Sequence, residues 1–111
     1  MKFSTCDRNN FEAHDEVIEK LQIEYSEKAE FIISDSVKVY SSSELEMARD
    51  LASVEVKIYQ IKNLFFIFQH NSSLDELALM FKAALTDSEM KEFQEIKATS
   101  KAIEFLAKNT F

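Results

Sequence analysis

The chain has 111 residues, with 20 acidic side chains against 13 basic ones and a formal net charge of −7. That length, with 46% apolar residues, predicts one folded domain over 1–111, its first nine residues a frayed terminus. The acidic excess argues against nucleic acid and anionic membrane as partners, because both require a basic patch. Cys6 is the sole cysteine, so an internal disulfide is excluded. No apolar run reaches signal-peptide or membrane-span length, and a soluble, cytoplasmic protein is expected.

Glycine and proline are both absent. Their absence removes the easiest routes to tight hairpin turns, bulges and glycine-terminated helices, and it handicaps all-β folds most. Phosphate-cradling loops and the hydrolase nucleophile elbow are excluded with them, since both need glycine where the backbone approaches closely.

In chain order, four capping-box patterns mark helix starts: Asn9…Glu12, Ser43…Glu46, Ser73…Glu76 and Thr86…Glu89. They predict helices over roughly 10–33, 43–70, 74–85 and 87–108. The first carries Phe11, Ile18, Leu21, Tyr25 and Ile32 on one stripe. The second carries Met47, Leu51, Val54, Ile58, Ile61, Phe65 and Phe68 in alternating steps of four and three. Leu74, Leu77, Phe81 and Leu85 continue the pattern, then Met90, Phe93, Ile96, Ile103 and Leu106. The expected fold is therefore all-α: a mostly antiparallel bundle of about four helices with a long central second helix. The alternative is α+β, with a small antiparallel sheet from residues 30–40 and 54–68. The alternation in Val54–Ile58, the aromatic run Leu64–Phe68 and a turn at Lys62-Asn63 favour that alternative.

Chemistry-bearing residues are sparse. Cys6 is followed by Asp7, which opposes thiolate formation, and no activating base is evident. His14 and His70 lack the Glu-x-x-His spacing of a di-iron bundle and the zinc-protease helix motif. No catalytic, metal or cofactor residue is therefore assigned. Between Phe11 and Glu30 lie seven acids and two lysines. On a helical wheel Glu12, Glu16, Glu19, Glu27 and Glu30 form a ridge around Ile23, an apolar residue ringed by one sign of charge. Its bland reading is a solvated face; its functional reading is a binding surface for a basic or amphipathic protein segment. A second row, with Tyr59 and Phe66, widens the apolar arc of the second helix; the row is either buried because that helix is central to the bundle, the favoured reading, or a homodimer or partner face.

The function expected from these features is non-catalytic protein–protein binding by a small acidic regulator, an immunity- or antitoxin-like inhibitor, or a chaperone-like escort. A structural homo-oligomeric assembly protein is the first alternative. A small enzyme or redox protein using Cys6 or a histidine is the second.

Overall fold

A computed structural model describes residues 10–39 and 52–110. The elements are β1 (Glu12–Ala13), α1 (His14–Tyr25), β2 (Glu30–Val39), β3 (Ala52–Ile61), β4 (Leu64–Asn71), β5 (Glu76–Ala84), α2 (Asp87–Glu95) and α3 (Thr99–Ala107). The five strands form one antiparallel sheet in the order β1-β5-β4-β3-β2. The fold is α+β, which corrects the expected all-α bundle and takes the stated alternative further than residues 30–40 and 54–68.

The reason lies in β3 and β4. Val56, Ile58, Phe65 and Ile67 are fully buried on one face of the sheet, packed against Phe93 of α2 and Ala102, Ile103 and Leu106 of α3. Tyr59, Ile61, Phe66 and Phe68 are buried on the other, under Val17, Ile18, Leu21 and Tyr25 of α1. Side chains alternate faces along a strand, so two apolar faces produce a nearly continuous apolar run. Within one strand a step of four keeps a residue on its face and a step of three changes it, and the turn at Lys62-Asn63 puts Phe65 on the face opposite Ile61. The helical stripe Ile58, Ile61, Phe65 and Phe68 thus divides between the two layers, although its spacing is that of a heptad. Met47 and Leu51, with the Ser43…Glu46 box, lie outside the described residues, as do Cys6 and Asn9.

The turns that glycine usually makes are made without it. Ser26, Lys62 and Asp75 all have left-handed backbones, with φ of 52°, 55° and 50°. Ser26 ends α1, its N–H reaching the carbonyls of Gln22 and Ile23. Lys62 opens the two-residue turn that pairs Ile61 with Leu64. Asp75 closes the loop between β4 and β5, where Asn71 Oδ1 accepts the N–H groups of Ser73 and Leu74. The Ser73…Glu76 pattern therefore precedes a strand, because Asn71 rather than Ser73 organises the loop. Register shifts at Phe31/Ile33 and Ile67/Phe68 complete the sheet. Where the fourth helix was expected, Thr86 and Glu89 exchange both capping-box bonds at the start of α2. The segment then breaks after Glu95 and resumes at Thr99 as α3.

Tyr59 and Phe66 face each other across β3 and β4 and are 8% and 1% exposed. Tyr25 covers Phe66 with ring centroids 5.3 Å apart. These two residues are core beneath α1, so they offer no homodimer face.

Phe66→Ala is expected to destabilise by about 3–5 kcal/mol, with a denaturation midpoint independent of protein concentration, read by urea unfolding at several concentrations. Lys62→Gly is expected to raise stability by up to about 1 kcal/mol in the same assay. A left-handed backbone costs a side-chain-bearing residue about 1–2 kcal/mol, partly offset by the freedom glycine adds to the unfolded chain.

Candidate functional site

The predicted acidic ridge is distributed over several elements. Glu12 belongs to β1, Glu16 and Glu19 to α1, Glu27 to the segment after α1, and Glu30 to β2. All five are exposed, and Ile23 on α1 is 70% exposed. Two of the acids have cations: Lys20 Nζ lies 3.4 Å from Glu12 and Lys62 Nζ lies 3.7 Å from Glu27. Among the described residues no cation pairs with Glu16 or Glu19. The helix phase that puts Ile18, Leu21 and Tyr25 inward and Ile23 outward is the one observed. Phe31 is exposed as well, at 53%, edge-on to Tyr59 and with Lys57 Nζ 5.8 Å from its ring centre.

A second constellation sits at the first residue of α1, on the face of the sheet that α1 covers. β1 pairs with the start of β5, Glu12 opposite Leu77 and Ala13 opposite Glu76. The backbone N–H of His14 then donates to the carbonyl of Asp75 at 3.0 Å. This clamp brings His14 to His70 near the end of β4, ring centroids 6.0 Å apart. Register places Glu55 of β3 opposite His70. His14, Glu55 and the loop pair His70 and Asp75 thus meet at one end of the α1 layer, with Tyr59 as the fifth residue.

One oxygen organises the cluster. Asp75 Oδ1 accepts from His14 Nδ1 at 3.1 Å and from His70 Nε2 at 2.9 Å. The remaining nitrogens are also held: His14 Nε2 lies 2.7 Å from the Tyr59 hydroxyl and His70 Nδ1 lies 2.8 Å from Glu55 Oε1. A neutral His14 with its proton on Nδ1 accepts the Tyr59 O–H through Nε2. His70 faces carboxylate oxygens with both nitrogens, and a singly protonated ring satisfies only one of them.

Exposure is graded across the cluster. The His70 side chain is 8% exposed, that of His14 18%, and that of Asp75 63%. The hydrogen bond from His70 is the main cause holding the Asp75 carboxyl below its usual range; the bond from His14 and the charge of both imidazoles add to it, against some desolvation. Burial, then the nearby charges of Asp75 and Asp15, push the Tyr59 hydroxyl up. A cleft of about 420 Å³, lined by Phe11, Ser36, Glu55, His70, Asn71 and others, opens beside the Glu55–His70 pair.

His14 and His70 are on the page of the sequence as isolated histidines; their meeting with Asp75, Glu55 and Tyr59 is not. Local spacing rules carry no trace of it, because His14 and Asp75 are 61 positions apart and strand pairing alone joins them. His70 lies on a strand, so the helix-terminus role considered for it does not apply.

Tyr59→Phe keeps the buried ring and removes the hydroxyl that faces His14. It is expected to lower stability by about 0.5–1.5 kcal/mol, read from chemical denaturation at neutral pH.

Among the described residues no helix is long and apolar enough to cross a membrane. No family model, no curated protein and no solved structure matches the chain.

Proposed function

We propose that the protein is a non-catalytic binding module that engages a basic or amphipathic protein segment through the outer face of α1. Its setting would be the cytoplasm, its role that of a small regulator, inhibitor or escort. Ile23 carries this reading. The inner face of α1 is already occupied by the sheet through Val17, Ile18, Leu21 and Tyr25. Ile23 stands 70% exposed on the opposite side, with exposed Glu16, Glu19, Glu24 and Glu27 on the same helix or just beyond it. An apolar anchor with a rim of one charge is the arrangement in which desolvation supplies affinity while the charges supply approach rate and partner choice.

The pairing of Glu12 with Lys20 and of Glu27 with Lys62 narrows the surface. Exposed ion pairs of this kind contribute about 0–1 kcal/mol, but each lysine offsets the negative charge of its acid. Glu16 and Glu19, which no cation among the described residues pairs with, are therefore the centre of the proposed face, and Glu12, Glu27 and Glu30 its margin.

Ile23→Lys tests the proposal. Exposed substitutions usually change stability by no more than about 0.5 kcal/mol, so the melting temperature should hold. A partner captured by the wild-type chain from its native lysate should be lost by the variant, and raised salt should slow its association with the wild type. A variant that keeps its fold and still binds that partner with undiminished affinity refutes the assignment of this face.

A further inference from the structure

We propose that His14, His70 and Asp75 form a binding site for a divalent transition-metal ion of the zinc class. The candidate ligand atoms are His14 Nδ1, His70 Nε2 and Asp75 Oδ1, which all lie within 4.8 Å of one another. Around a tetrahedral ion with bonds of about 2.1 Å, neighbouring ligand atoms stand about 3.4 Å apart. Two of the three edges lie within about 0.5 Å of that length: 3.1 Å from Asp75 to His14 and 2.9 Å from Asp75 to His70. The edge between the two imidazole nitrogens is the one that must shorten when an ion enters.

The groups behind the ligands point the same way. In metal sites a coordinating histidine characteristically hands its other ring nitrogen to a carboxylate or similar acceptor, which fixes the ring and raises its basicity. Here His70 Nδ1 meets Glu55 Oε1 at 2.8 Å, and His14 Nε2 meets the Tyr59 hydroxyl at 2.7 Å. With an ion on Nδ1 the His14 proton sits on Nε2 and donates to the Tyr59 oxygen, so both rings are oriented from behind, each with one nitrogen aimed at the same point. A cation between His70 Nε2 and Asp75 Oδ1 also satisfies a ring that otherwise faces two carboxylates. Asp15 adds a further negative charge close enough to act on Tyr59.

Two imidazoles and one carboxylate select against calcium and magnesium, which prefer all-oxygen shells, and favour zinc, cobalt, nickel or iron(II). Three protein ligands leave coordination positions over. Asp75, 63% exposed, places those positions at the surface, where water or a small anionic ligand would complete the shell. His14 enters through the β1–α1 junction, His70 through β4 and Asp75 through the following loop, so a bound ion would also tie the start of α1 to the sheet.

The test uses the full chain without an affinity tag and Co²⁺ as the probe. Visible absorption should develop the bands of a protein-bound cobalt ion and saturate at one per chain, and Zn²⁺ should displace it. Asp75→Asn is the informative variant, because asparagine tolerates the left-handed backbone while its neutral amide is a poor ligand. It and His70→Gln should each weaken Co²⁺ binding at least tenfold, with far-ultraviolet circular dichroism of the metal-free chain unchanged. Glu55→Gln, which touches no ion, should weaken binding about 10–100-fold. A spectrum that stays that of aqueous Co²⁺, or binding equally tight in Asp75→Asn, overturns the proposal.

Discussion

The burial of β3 and β4 on both faces is the constraint on which the rest of the molecule depends. A strand pair with Ile58, Phe65 and Ile67 on one side and Ile61, Phe66 and Phe68 on the other needs an apolar layer above and another below. The α2–α3 pair supplies the layer over Ile58, Phe65 and Ile67, and α1 supplies the layer over Ile61, Phe66 and Phe68. Each helix consequently has one face committed to the sheet, and what remains of α1 is an acidic outer face carrying Ile23. The three left-handed turns at Ser26, Lys62 and Asp75 are tolerated because this two-sided burial outweighs their cost.

The same constraint explains which parts of the fold were legible in the sequence. The inward phase of Ile18, Leu21 and Tyr25 could be read, since α1 is an amphipathic helix against one surface. The Thr86…Glu89 cap could be read too, because a capping box is local chemistry. The central strands could be read only as an alternative: residues 54–58 alternate and 64–68 are apolar throughout, yet Val54, Ile58, Ile61, Phe65 and Phe68 also keep helical spacing, so the run fits a wide-faced helix as well as a doubly buried strand. The absence of glycine then tilted the reading toward helices. That argument fails here because serine, lysine and aspartate occupy the turn positions, at a cost of about 1–2 kcal/mol for such a residue in a left-handed helical backbone.

The two surfaces of interest are linked through α1. Its first residue, His14, is anchored to Asp75 and Tyr59, and its outer face carries the exposed Glu16 and Glu19. An ion at the His14–His70–Asp75 cluster would add positive charge at the start of α1 and hold that end against the sheet. The acidic face was visible in composition alone, as net charge concentrated between Phe11 and Glu30. The cluster was not, since only the β4–β5 loop joins His70 to Asp75 locally, and strand pairing brings His14 and Glu55 to them.

Amide hydrogen exchange resolved by residue tests the two-sided sheet most directly. Two-sided burial predicts that the amides of Ile58, Tyr59, Phe65, Phe66 and Ile67 exchange only through global unfolding, while those of α1 open earlier, through smaller fluctuations. Exchange of the β3 and β4 amides as fast as those of α1 would contradict it, for the sheet would then not be the core that both helical layers depend on.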